Sequence, residues 1–163
     1  MGMTGLAAPR WNFVRAKARE LTREYSSPPI PILEIAEQNG VEVVFADFGK
    51  HASSIAGFCD FGERQIVVND FDNFGRKMFT IAHEFGHWML HKEFFDRDPE
   101  LYAVLPRMQA PKKNAFETEA NLFAAESLVP THLLQPVKNA GAAQLADIFG
   151  VSREMMENRL KNV

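Results

Sequence analysis

At 163 residues, with 46% hydrophobic and 24% charged side chains, the chain has the composition of a soluble globular protein long enough to bury one real core. A net charge of −3 and a pI near 6.0 argue against a general binder of nucleic acid or anionic membrane. A single cysteine, Cys59, rules out an internal disulfide and fits a reducing cytoplasm. No window approaches the ~18 consecutive apolar residues of a membrane span. Residues 1–10 lack a basic start followed by an apolar stretch, so no secretory signal is read and a cytoplasmic location is expected.

Residues 10–25 place Trp11, Val14, Ala18, Leu21 and Tyr25 at helical spacing, with five Arg/Lys elsewhere. This predicts an amphipathic helix whose basic side is a solvated face. Ser26-Ser27-Pro28-Pro29 ends it, and Pro31 suits the first turn of a short helix running to Glu37 and stopped by Gly40. Val41–Phe45, Ser54–Asp60 and Gln65–Asn69 read as strands. Phe48-Gly49-Lys50 turns the chain after the first, and Phe61-Gly62-Glu63-Arg64 makes a hairpin of the other two. Cys59 falls in an apolar alternating run and is expected to be a buried strand residue. Fourteen Phe suggest a well-filled interior.

Residues 76–92 form a strong helical stretch in which Phe79, Ile81, Ala82, Phe85, Met89 and Leu90 make a broad apolar surface. Within it, His83-Glu84-Phe85-Gly86-His87 reads as HExxH. Residues four apart on a helix lie one above the other, so His83 and His87 can address one metal ion. Glu84 beside them is placed to take a proton from a bound water. Gly86 costs about 1 kcal/mol relative to Ala in mid-helix, which makes sense if something packs tightly on the helix backbone. Two histidines leave a zinc site unfilled, so a third ligand is required from elsewhere.

Residues 93–113 carry Pro99, Pro106 and Pro111 and are expected to be irregular, either a lid or substrate-docking loop or a plain exposed connection. The helix from Phe116 to Val129 offers three glutamates. Glu117, Ala120, Asn121 and Ala124 share a face of mostly small residues, whereas Glu119 and Glu126 fall on another side, where charges normally meet solvent. Glu117 is therefore the chosen ligand, with Glu119 the alternative and Asn121 placed to orient a ligand by hydrogen bonding. His91 stands about 12 Å along the axis from His83 and cannot share its ion. It is read as a surface or substrate-side histidine, and His51 and His132 as ordinary.

Phe79-Thr80-Ile81-Ala82-His83-Glu84-Phe85-Gly86-His87, followed by Glu117-Thr118-Glu119-Ala120-Asn121-Leu122-Phe123-Ala124-Ala125, resembles the ImmA/IrrE family of zinc metallopeptidases. That family reads FTLAHELGH and then ExEANxFAAxLLMP; Ser127-Leu128-Val129-Pro130 departs from it conservatively. The Ile66–Asn69 strand and the Phe149-Gly150-Val151-Ser152 segment are also similar, and the likeness spans roughly residues 30–160. It implies that His83, His87 and Glu117 are metal ligands and that Glu84 is the catalytic acid. It also implies a partner: a helix-turn-helix repressor encoded nearby, cleaved or inactivated in an anti-repressor, toxin-antitoxin or stress-response setting. Zn2+ is the expected ion, although a His/His/Glu set also admits Mn2+ or Fe2+.

Ala142–Ile148, a turn at Gly150, and a helix from Ser152 to Leu160 resemble a helix-turn-helix. Residues 142–163 balance Arg153, Arg159 and Lys161 against Asp147, Glu154 and Glu157, so a structural hairpin without direct nucleic-acid contact is expected. The fold class read is α+β: a small antiparallel sheet packed on the HExxH helix, then a C-terminal helical bundle. One metallopeptidase domain, 1–163, is expected, with an N-terminal helix (1–29), a catalytic core (30–130) and a C-terminal hairpin (131–163). The expected activity is endopeptidase. The rival is a metal-stabilised module that grips a repressor without cutting it.

Overall fold

A computed structural model describes residues 5–102, 104–108 and 114–163. The chain folds as α1 (Trp11–Thr22), α2 (Ile32–Gln38), β1 (Glu42–Ala46), β2 (Ile55–Asp60), β3 (Gln65–Asn69), α3 (Phe74–Arg97), α4 (Pro99–Tyr102), β4 (Val104–Met108), α5 (Ala115–Leu128), α6 (Thr131–Leu134), α7 (Ala142–Phe149) and α8 (Arg153–Leu160). The α+β class holds, and so do the short N-terminal elements, each within a residue or three of its predicted range.

The sheet has the order β1-β3-β2-β4. The expected β2–β3 hairpin forms with Gly57 opposite Val68, and Arg64 takes up the left-handed conformation (φ 56°) that closes its turn. β1 runs parallel to β3, so the sheet is mixed rather than purely antiparallel. The chain leaves β1, crosses the sheet, and returns through the hairpin to lay β3 beside β1. Buried Asn69 holds this crossover: its Nδ2 donates to the carbonyls of Ala52 (2.7 Å) and Ile55 (3.0 Å).

The stretch expected to be irregular is regular over most of its length. α3 continues to Arg97 because Phe94 is buried and Phe95 stacks on Phe61 at 5.4 Å. It ends at Asp98, since a residue before proline disfavours helical geometry. Residues 104–108 then add β4 as an edge strand antiparallel to β2, with Phe58 opposite Pro106. An edge strand tolerates proline because one side of it needs no ladder hydrogen bond. Residues 103 and 109–113 of the expected lid lie outside the described residues.

α3 carries the site and lies between the sheet and α5. Gly86 lets the helices touch: a Cβ there would meet Phe123 Cδ1 at 3.1 Å, Phe123 Cβ at 3.2 Å and Ala120 Cα at 3.3 Å. On the opposite side, a Cβ at Gly57 would meet the Thr80 Cγ2 of α3 at 2.7 Å, so β2 is held just as close. Phe85 and Phe123 pack edge-to-face at 5.7 Å within the core. Not every phenylalanine joins it, because Phe71 and Phe74 are 71% and 63% exposed.

The α7–α8 hairpin is capped as the sequence suggests. Gly150 is left-handed (φ 72°) and the Ser152 Oγ accepts from the Met155 N–H at 3.1 Å. Buried Arg159 ties it to the end of α5, donating to the Val129 carbonyl (3.0 Å) and Thr131 Oγ1 (2.9 Å), with Glu126 Oε2 at 3.4 Å. No helix among the described residues is long and apolar enough to cross a membrane.

Candidate metal centre

Two asparagine caps position the helices that build the site. Asn73 Oδ1 accepts from the Arg76 N–H at the start of α3, and Asn114 Oδ1 accepts from the Glu117 N–H at 2.8 Å at the start of α5. Glu117 therefore sits in the first turn of α5, where the helix dipole favours a negative charge.

The structure brings His83, His87 and Glu117 together, with one ligand atom from each lying within 4.8 Å of the others. His83 Nε2 is 3.0 Å from Glu117 Oε2, and His87 Nε2 is 2.9 Å from Glu117 Oε1. Both rings are buried and stand edge-to-face at 4.9 Å. Burial alone would raise the Glu117 carboxyl, but the facing imidazoles outweigh it and hold it well below the usual carboxylate range.

The far side of each ring decides what this cluster can hold. His83 Nδ1 lies 2.8 Å from Asn121 Oδ1, and an amide oxygen only accepts, so the proton belongs on Nδ1. A neutral His83 therefore turns its Nε2 lone pair toward the Glu117 carboxylate. A doubly protonated ring would donate to the carboxylate at that 3.0 Å separation, whereas the neutral ring's lone pair and the carboxylate are ligands for one shared cation. Two imidazoles and a carboxylate suit zinc and related divalent ions, whose bonds of about 2.1 Å space tetrahedral ligands about 3.4 Å apart. The two separations from Glu117, 3.0 and 2.9 Å, lie within about half an ångström of that spacing.

Glu84 is fully buried and lies on the sheet side of α3. Its charge, after burial itself, helps push up the thiol of Cys59 in β2. Arg76, His91 and Tyr102 carry side chains that could donate to an oxyanion; of these, Arg76 lies 3.7 Å from Asp72 at the helix start. The Tyr102 side chain lies outside the described residues.

Residues 36–161 match the profile of the peptidase family described as the IrrE N-terminal-like domain. The chain belongs to that family. Among solved structures, this IrrE-like chain is similar in fold to a Mycobacterium tuberculosis transcriptional regulator, at a TM-score of 0.62 and 18% identity. The match covers 91% of this chain and 46% of that one, so this chain spans about half the regulator's length. No curated protein sequence matches it.

Several expectations for the site's surroundings need correcting. His91 is fully buried, not a surface or substrate-side residue: its Nδ1 lies 2.7 Å from His87 Nδ1 and its Nε2 lies 2.9 Å from Glu119 Oε1. Phe116 stands over it at 4.8 Å. Burial, helped by the nearby His87 and Arg10, lowers His91 to about 4 against the opposing pull of Glu119. Glu119 and Glu126 also avoid solvent, because α1 covers that side of α5 in the IrrE-like fold. Burial would raise Glu119, yet hydrogen bonds from His91 and Arg10 bring it down to about 2.

Arg10 turns inward and Arg15 leans toward Glu126, while Arg19 and Arg23 stay exposed as the expected solvated face. Arg15 approaches Glu126 at 3.9 Å, and Arg10 grips Glu119 with its backbone N–H (2.7 Å), Nε (2.9 Å) and Nη2 (3.0 Å). Trp11, placed on the apolar face by spacing, is 47% exposed. His51 and His132 stand apart from the cluster; His132 Nε2 pairs with the Tyr25 carbonyl at 2.8 Å. Sequence reasoning missed the Asn114 cap, which the N-x-x-E spacing to Glu117 could have signalled. It also missed the partnership of Arg10 with Glu119, 109 positions away, for which no local signal exists.

Proposed function

We propose that this protein is a metal-dependent endopeptidase in which His83, His87 and Glu117 hold a divalent ion, Zn2+ in the first instance. The observation that carries the reading is the convergence of two histidine Nε2 atoms on an ionised Glu117, with the His83 Nδ1 proton fixed by Asn121. A three-ligand protein set leaves a fourth position open for water, as catalytic zinc sites require. The ion, when bound, supplies the Lewis acidity that activates water and polarises a scissile carbonyl.

Glu84 accepts a proton from the attacking water and returns it to the leaving amine. Its buried position raises the effective strength of both transfers by excluding competing solvent. An extended substrate adds to β4, an edge strand of the sheet among the described residues, because Cys59, which feels the Glu84 charge, pairs with Leu105 of that strand. β1, the other edge, lies across the sheet.

The substrate proposed is a helix-turn-helix repressor encoded nearby, acting in the cytoplasm, with no direct contact between this chain and nucleic acid or membrane. Support comes from the family membership and from the near-neutral, inward-tied α7–α8 hairpin. The test mixes purified protein with that repressor, with and without chelator. Fragments should form only in the metal-loaded sample and should vanish in Glu84→Gln, which keeps metal and partner binding. Repressor inactivation that survives Glu84→Gln would refute the peptidase reading in favour of a gripping module.

A further inference from the structure

The candidate ligand His87 is the end of a buried chain of hydrogen bonds that starts ahead of α1. Arg10 donates three times to Glu119; Glu119 Oε1 meets His91 Nε2 at 2.9 Å; His91 Nδ1 meets His87 Nδ1 at 2.7 Å. Arg10 Nη2 also reaches the Leu90 carbonyl at 3.3 Å, which anchors it to α3 itself. Glu119 and His91 are fully buried, and Phe94 and Phe116 wall the His91 ring at 6.2 and 4.8 Å. Arg10 is 30% exposed and also reaches Glu93 Oε1 at 3.2 Å, but the Glu119–His91–His87 links lie away from water, so their direction is fixed by the protein groups alone.

That direction follows from the acceptors. A carboxylate only accepts, so His91 carries its proton on Nε2 and gives it to Glu119. Arg10 supplies the countercharge to Glu119, so His91 need not supply it. The neutral His91 ring then presents its Nδ1 lone pair, and the Nδ1 of His87 must donate to it. This leaves the Nε2 of His87 proton-free, 2.9 Å from Glu117.

We propose that Arg10, Glu119 and His91 form a positioning chain that fixes the His87 tautomer and aims its Nε2 lone pair at the metal position, so that docking of the N-terminal segment sets the centre. The chain does for His87 what Asn121 does for His83, but through three residues and a second helix. Arg10 lies outside the 36–161 family match, so this support reaches the site from the segment that precedes it. The proposal rests on the metal-site reading for its consequence, not for the tautomer itself.

The test uses the full chain. Long-range 1H–15N correlations on metal-free protein report the tautomers of His83 and His87 separately. Wild type should show both rings protonated at Nδ1. In His91→Phe and Glu119→Gln the His87 signal should move to a tautomer mixture while His83, held by Asn121, stays put. Zinc affinity, measured by chelator competition, should fall about 10- to 100-fold in these variants and less in Arg10→Gln. His91→Gln, whose side-chain oxygen can accept from His87, should recover part of the loss. An unchanged His87 tautomer in His91→Phe, or His83 and His87 changing together, would overturn the proposal. Absence of zinc binding by wild type, with the tautomers as described, would instead overturn the metal-site reading alone.

Discussion

Gly86→Ala pits two effects of known size against each other. Exchanging glycine for alanine inside a helix ordinarily stabilises by about 1 kcal/mol. Here the new methyl would lie 3.1–3.3 Å from Phe123 Cδ1, Phe123 Cβ and Ala120 Cα. Two of those atoms belong to or adjoin the α5 backbone, so no side-chain rotation relieves the contact. Overpacking of this kind costs about 1–3 kcal/mol, and the net outcome should be a loss of about 1 kcal/mol. For a chain of this size that lowers the Tm by about 2–4 °C. Relief requires α5 to back away by a few tenths of an ångström, and Glu117 sits one turn from Ala120. Metal bonds tolerate about 0.2 Å, so zinc affinity should fall about tenfold, or 1.4 kcal/mol. Thermal melts followed by circular dichroism and a zinc competition titration measure both. A Tm that rises by several degrees with unchanged zinc affinity would refute the claim that α5 presses on the α3 backbone.

Asn121→Leu should reduce zinc affinity about 10- to 100-fold with little change in metal-free Tm, checked by the same titration, because it frees the His83 ring without opening the core. Arg159→Met should cost about 3 kcal/mol in urea denaturation, since it leaves Glu126 (6% exposed) to the more distant Arg15 at 3.9 Å and takes the donor from the Val129 carbonyl. Cys59 should resist a disulfide reagent at pH 8 in the native state and react on unfolding, because burial and then the charges of Glu84 and Asp60 push its thiol well up and hold it protonated.

The grouping of His83, His87 and Glu117 was legible because helical spacing is a local property: four residues separate the histidines, and the small-residue face of α5 selects Glu117. Glu119 stays off the cluster, yet not because it meets solvent; α1 packs over that side and supplies Arg10 as its partner. Distance in sequence hid that pairing, and with it the burial of His91. β4 was hidden for a different reason. Its proline reads as a breaker, which is true for a central strand and false for an edge. The parallel β1–β3 pairing was likewise set by how the crossover packs rather than by any pattern within a strand.

One ion held by three named atoms is what the proposed chemistry requires. Diffraction from zinc-soaked crystals, recorded on both sides of the zinc absorption edge, tests it most directly. The expected result is a single anomalous peak per chain, about 2.0–2.2 Å from His83 Nε2, His87 Nε2 and a Glu117 carboxylate oxygen. A zinc-loaded crystal with no peak there, or with the Glu117 carboxylate swung away from both rings, would contradict it.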